Sequence, residues 1–410
     1  MVGDGAVNGP EGEAPPREEF DPSGLDADAS ARAGITATAE PGDPAMGLLL
    51  AEHGAARVWE ALVHRERIPP PAGTDQGAHS ARLERWRTRA AAVDVDALSA
   101  QAAELGARLV LPGDPEWPGQ LDPLAERRPY ALWVRGARDL RHACLRSVAV
   151  VGSRAASAYG LHVAGEFGHA LAERSWAVVS GGAYGIDGAA HRGTLAGGAT
   201  TVVVLACGLD ISYPRGHENL FADVAARGVL ISEHPPGTSP TRRGFLVRNR
   251  LIAALTPGTV VVEAGLRSGA MNTATHAREL CRVLMAVPGP VTSALSAGCH
   301  RLLRDWQAVC VTDAADIIEQ VGRIGEDLRP VDGPVLAEDR LDATARRILD
   351  SLRGRRWTGT ATVAAAAGVG LDTALRHLGL LAAGGFVERG PGGWRAESGA
   401  RKPHGDRVAP

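Results

Sequence analysis

Four short runs of apolar, mostly β-branched residues, each closed by small or polar residues and each followed by sequence suited to a helix, constrain this chain most. They are Val148 to Val151, Ala177 to Val179, Thr201 to Leu205 and Val260 to Val262. They end in Gly152-Ser153, Ser180-Gly181, Cys207-Gly208 and Glu263-Ala264-Gly265 respectively. A strand that is apolar at every position has no face for water, so both of its faces must be covered. That is the condition of a parallel sheet with helices packed on its two sides. Three further runs, Val229 to Ile231, Arg282 to Val287 and Ala308 to Val311, alternate with helical sequence in the same way. The expected fold is α/β, a doubly wound parallel sheet in a core spanning residues 107–321. In such sheets the loops at the carboxyl ends of the strands form the ligand crevice.

The flanks read differently. Residues 1–34 are expected to be a disordered acidic tail: the first thirty hold eight Asp or Glu against one Arg, among Gly and Pro. Residues 35–106 read as a small helical module. Apolar residues recur at helix spacing from Met46 to Leu62 around Gly54, and Arg82 to Ala92 and Val95 to Leu105 give two more helices. Such a module is either a generic adaptor or a helix-hairpin-helix unit that touches a phosphate backbone. Arg108 to Leu111 and Tyr130 to Val134, around a Pro-rich bend, read as lead-in strands that pair with or cap the sheet. Residues 322–340 are a linker. Residues 341–396 give three helices and a hairpin around Gly390-Pro391, a winged-helix arrangement that meets DNA or a protein. Residues 397–410 are expected to be a disordered tail.

With 44 basic and 47 acidic residues among 410, the net charge is -3, so any anion site must be local. The single lysine, Lys402, excludes a P-loop or Schiff-base lysine inside the fold. The five cysteines are scattered without a Cys-x-x-Cys pair and read as reduced, mostly buried thiols. No apolar run approaches the roughly 18 residues of a membrane span, and the acidic N-terminus lacks the basic start of a signal peptide. A cytoplasmic chain without a cofactor or a metal is expected.

The loops carry the chemistry. Gly152-Ser153-Arg154 fails the dinucleotide fingerprint at its second glycine, yet a helix start beside a guanidinium holds phosphate well. Ser180-Gly181-Gly182 and the following Gly185 allow close backbone approach, with Asp187 and His191 one turn apart on the next helix. Ser180, Asp187 and His191 together raise nucleophilic hydrolysis, although Ser180 is not on a nucleophile elbow. Arg242, Arg243, Arg248 and Arg250 surround Phe245, with Asn249 between the last two. Cations for phosphate and a ring for a base are what a single-strand binder needs. The competing reading has Phe245 in the core and Arg248 and Arg250 neutralised by Glu233 and Glu263.

Val151 to Gly160, Ser180 to His191, Gly208 through Tyr213-Pro214 to Asn219, Phe245 to Arg250, Glu263 through Ser268-Gly269 to Ala274, and Val287-Pro288-Gly289 stand in this order. In these stretches, over roughly residues 35–320, the chain resembles the DNA-processing protein A (DprA/Smf) family. The resemblance implies a Rossmann-like core, a sterile-alpha-motif-like N-terminal module and a C-terminal winged helix. It also implies a homodimer that binds single-stranded DNA, protects it and loads RecA onto it in natural transformation or homologous recombination, with no catalytic residue. Duplex DNA or a regulatory contact would fall to the winged helix. Carried onto this sequence, the DNA-binding residues are Gly152, Ser153, Arg154, Ser180, Gly181, Gly182, Arg243, Phe245, Arg248, Arg250, Ser268 and Gly269, with Asp187, His191, Asn249 and Glu263 structural beside them. Cys281, His300 and Trp306-Gln307 depart from the family pattern. A nucleotide or nucleotide-sugar hydrolase with Glu263 as the acid is the alternative from another class.

Overall fold

The computed structural model describes residues 27–71, 73–323, 327, 341–352 and 356–396. The chain divides into two compact units, Met1–Arg329 and Pro330–Pro410. Residues 1–26, nearly all of the linker and the tail after 396 lie outside the described residues.

The first unit is built on nine strands: β1 (Ala107–Val110), β2 (Leu132–Arg135), β3 (Ser147–Val151), β4 (Ala177–Ser180), β5 (Thr201–Leu205), β6 (Val229–Ser232), β7 (Gly258–Val261), β8 (Val283–Ala286) and β9 (Val309–Cys310). Their order across the sheet is β1-β2-β6-β5-β4-β3-β7-β8-β9. From β6 to β9 all pairings are parallel, whereas β1 and β2 add an antiparallel edge. The lead-in strands thus pair with the sheet beside β6. The chain winds outward from β3 in one direction through β6, then returns to lay β7 against the other side of β3.

Both faces of the central strands are buried, as their composition requires. On β3, Ala149 and Val151 enter one core and Val148 and Val150 the other. The first core is closed by α6 (Leu140–Leu145), α10 (Arg242–Ala254), α11 (Gly269–Glu279) and α12 (Ala297–Asp305). The second is closed by α7 (Ala158–Glu173), α8 (Ile186–Ala196) and α13 (Ala314–Val321), while α9 (Glu218–Arg227) covers β5 and β6. The helices α7 and α8 approach closely because glycines face each other: a Cβ on Gly193 would lie 2.1 Å from the Gly165 carbonyl oxygen.

Five helices precede the sheet: α1 (Ala27–Thr38), α2 (Pro44–His53), α3 (Ala55–Val63), α4 (Gln76–Ala90) and α5 (Val95–Glu104). Helix α1 corrects the expectation of disorder through residue 34. Ala31 and Ile35 are buried with Met46, Leu49, Val58, Leu62 and Trp86, and Gly34 leaves room for the Trp59 ring. The module is keyed to the sheet by Tyr130, whose hydroxyl donates to the Glu40 carbonyl at 2.9 Å, and by Trp133 Nε1, which donates to Thr36 Oγ1 at 3.2 Å. Burial raises the Tyr130 phenol far above its ordinary value.

The second unit holds α14 (Ala343–Asp350), α15 (Thr360–Ala367), α16 (Leu371–Ala383) and an antiparallel pair, β10 (Val387–Gly390) with β11 (Gly393–Ala396). Ile348, Val363, Leu378, Leu381 and Trp394 form its core. No helix among the described residues is long and apolar enough to cross a membrane.

Candidate functional site

The winding direction reverses between β3 and β7, so the loops leaving these two neighbouring strands diverge and leave a crevice at their carboxyl ends. A cavity of about 640 Å³ occupies it. The loop after β3 supplies Gly152, Ser153 and Arg154, helix α10 supplies Arg242, Phe245, Arg248 and Asn249, and the segment entering α11 supplies Arg267, Ser268 and Gly269.

The first loop is held from both sides. The Ser153 amide donates to the Glu263 carbonyl at 2.7 Å, and the Ser153 carbonyl accepts from the Ile186 amide at 3.2 Å. Gly185 makes this possible: its φ is +78°, and a Cβ there would sit 2.2 Å from the Ser153 carbonyl oxygen. Arg154 is then presented outward. Its guanidinium lies over the Phe245 ring, 4.7 Å from the centroid, and Tyr213 packs against the same ring at 5.4 Å. Phe245 is half-buried, and its ring lines the crevice.

Arg154, Arg242 and Arg267 are exposed, and none has a carboxylate partner among the described residues. Arg248 is buried: it donates to the Val204 carbonyl, and burial lowers its guanidinium to about 10 despite the nearby Asp187 carboxylate. Burial likewise raises the Asp187 carboxyl, against the pull of Arg248 and of the Gly181 and Ala183 amides that donate to it. Ser268 caps α11 by accepting from the Ala270 amide at 3.3 Å, which points that helix N-terminus into the crevice. An exposed excess of guanidinium, a helix N-terminus and a ring at the mouth make an anion-accepting crevice with an aromatic shelf.

The structure brings Gly152, Ser153, Arg154, Phe245, Arg248, Ser268 and Gly269 together, with Asp187 and Asn249 on the wall. Others it takes elsewhere. Arg250 is 1% exposed and forms a two-pronged ion pair with Glu233, both contacts at 2.6 Å. Its guanidinium is turned into the fold and does not line the crevice. Arg243 lines a different recess. Ser180 is buried and donates to the Val150 carbonyl at 2.6 Å, and Gly181 lies beneath the Arg248 guanidinium, where a Cβ would clash at 2.3 Å. Gly182 also stands behind the crevice, its φ at +66° and its α-carbon against Phe221 and Val203.

Glu263 caps the start of α7, accepting from the Ser157 amide at 2.9 Å and the Ser157 hydroxyl at 2.5 Å. His191 meets Thr201 Oγ1 at 2.7 Å, and burial lowers its imidazole to about 3. With its Nδ1 on Thr201, His191 closes no relay with Asp187 and Ser180 of the kind a nucleophilic serine needs. Two residues that the loop pattern does not single out, Arg267 and Tyr213, belong to the site. Arg267 was legible as the cation just before the Ser268-Gly269 helix start; Tyr213 was legible only as part of the ordered stretch from Gly208 to Asn219, with nothing local to bring it to Phe245. Among the described residues no three His, Cys, Asp or Glu come together as a metal site would need.

Fold and crevice define the class: an α/β protein with a mostly parallel sheet and an arginine-lined crevice at its switch point. A family model described as DNA recombination-mediator protein A matches residues 108–322, and the chain belongs to that family. A DNA processing protein DprA of Mycobacterium tuberculosis (strain ATCC 25618 / H37Rv) is 50% identical over 303 residues, 71% of this chain and 77% of the relative. The DNA processing protein DprA of Streptococcus pneumoniae is 38% identical over 192 residues, 47% of this chain and 67% of the relative. The X-ray structure of DNA processing protein A from Streptococcus pneumoniae superposes with a TM-score of 0.58 at 27% identity, over 73% of this chain and 99% of that one.

Proposed function

We propose that this protein binds single-stranded DNA in the crevice between β3 and β7, protects it and loads RecA onto it, as a homodimer without catalytic turnover. The observation that carries the reading is the trio Arg154, Arg242 and Arg267, exposed and without carboxylates, around a Phe245 ring in contact with Arg154. Guanidiniums neutralise phosphates whatever the sequence, and an aromatic shelf at the mouth meets only a base that is already unstacked. Membership of a family of DNA recombination mediators supports the choice of DNA. The hydrolase alternative has less behind it, since Glu263 is 2% exposed and engaged by Ser157.

The N-terminal helices are read as a sterile-alpha-motif-like module, and the second unit as a winged helix that contacts duplex DNA or a regulator. Helix α16 exposes Leu371 and Leu375 one turn apart, which suits a protein partner at least as well as a groove. Strand binding is assigned to the first unit alone.

Anisotropy titration of a labelled oligothymidylate at several salt concentrations tests this. The logarithm of affinity should fall with the logarithm of salt at about 0.7 per phosphate contact. Arg154→Ala should weaken binding by about 1.5 kcal/mol and flatten that slope. A fragment of residues 1–329 should bind like the full chain. A salt-independent interaction, or loss of all binding by the folded fragment, refutes the assignment; sustained release of free base from nucleotides refutes the absence of turnover.

A further inference from the structure

The crevice has a neighbour. Arg243, next in sequence to the crevice residue Arg242, lines a second recess of about 240 Å³ on the side of the helical module. Its opposite wall is α4, which contributes Arg82, Arg85 and Arg89 at a spacing that sets them on one helix face. Two acids stand among these four guanidiniums. Glu40 accepts from Arg89 at 3.1 Å, and Asp43 is 3.7 Å from Arg82 while its carboxylate also caps α2 by accepting from the Ala45 amide at 2.9 Å. Arg85 and Arg243 are exposed and have no carboxylate partner among the described residues. The recess therefore holds two uncompensated cations, from different elements, across a gap. Side chains so placed repel each other, and an anion between them removes that cost.

We propose that this recess is a second phosphate site and that it receives the backbone of the strand that occupies the crevice. The ligand is then a polynucleotide running from the end of β3, past the first turn of α10, to the exposed face of α4, and a mononucleotide fills only part of the path. Arg242 and Arg243 are consecutive at the start of α10, their α-carbons about 3.8 Å apart, so the start of one helix contributes to both sites. This inference rests on the single-strand reading of the crevice and assigns the helical module a direct share in binding.

Oligothymidylates of about 4 to about 16 nucleotides test it with the full chain, using Arg85→Ala, Arg243→Ala and the charge reversal Arg85→Glu. Both residues are exposed, so thermal melts should match the parent. The parent should gain affinity with length. Each alanine variant should lose about tenfold on the longest strand and nothing on the shortest, and the salt slope should fall by about 0.7 on the longest strand only. Arg85→Glu should lose more. If the parent binds and the variants follow it at every length, or lose equally at every length, the second site is wrong and the crevice reading stands. If the parent binds no oligonucleotide, both fall.

Discussion

Arg154 and Phe245 show what a single contact adds to a list of residues. Each is separately a candidate for DNA, one as a charge and one as a ring. The structure places the guanidinium over that ring, so each holds the other's position. Their effects on binding should therefore not add. Phe245→Ala should cost about 1 to 3 kcal/mol of affinity while also releasing Arg154, and Arg154→Ala should remove a phosphate contact and uncover the ring. A double-mutant cycle on strand affinity should return a coupling of about 0.5 to 2 kcal/mol. Additivity within about 0.3 kcal/mol would mean that strand binding separates the two groups. The cluster around Phe245 was legible because four arginines about one ring have few structural uses. The division of labour within it was open in the sequence, where ion pairs of Arg248 and Arg250 with Glu233 and Glu263 stood as the competing reading; the structure makes one of them, Arg250 with Glu233 just after β6, while Arg248 and Phe245 line the crevice. The departures at Cys281 and Gln307 have a visible cost: both adopt positive φ, at 53° and 56°, where glycine would be unstrained.

Helix α10 works as an element because its two sides do different things. One side faces the crevice with Phe245 and Arg248. The other drives Arg250 into a pocket where it meets Glu233, the Arg127 carbonyl at 3.1 Å and the Val247 carbonyl at 3.1 Å, with Gly42 close against the guanidinium. One side chain thereby joins the sheet end, the lead-in segment and the helical module. Glu233→Ala leaves that guanidinium buried and unpaired, which should cost about 3 to 5 kcal/mol of stability. A urea titration should show that loss, while strand affinity per folded molecule stays within a factor of two; a larger affinity loss would return Arg250 to the binding surface. The seven parallel strands of the core were legible, since runs such as Val202 to Leu205 admit little else. Helix α1 was not. Its small residues sit at the end of an acidic, Gly- and Pro-rich stretch, and only the Trp59 ring over Gly34 and the Trp133 bond to Thr36 reveal its burial. The short α6 and α12 lacked enough turns to show a period.

At the scale of the whole molecule, the helical module, the lead-in and the sheet form one compact unit, and burial within it holds several histidines below their ordinary value. Burial lowers His191 to about 3, and burial is the leading cause of lower values at His217, His234 and His276. A histidine whose folded value lies below its ordinary 6.5 binds its proton more readily when unfolded. Its contribution to stability is complete above about pH 7 and is lost as pH falls toward the folded value. For His191 alone the loss between pH 6.5 and 5.5 is about 1 kcal/mol, and the other three steepen it. Asp187, held above its ordinary value by burial, acts in the opposite sense, its contribution falling as pH rises from about 3.8 toward its folded value. At the alkaline end burial raises Cys144 to about 12 and Cys207 and Cys299 to about 11, so the unfolded chain ionises first once pH passes 9. Stability of the 1–329 fragment should therefore be flat between about pH 7 and 9 and fall on both sides. His191→Gln, which keeps a donor for Thr201, should shallow the acid limb by up to one proton. Chemical denaturation at half-unit pH steps, beside an NMR titration of the imidazoles, measures both, and a His191 ring that protonates near pH 6 in the folded chain would show that water reaches a side chain placed here in the core.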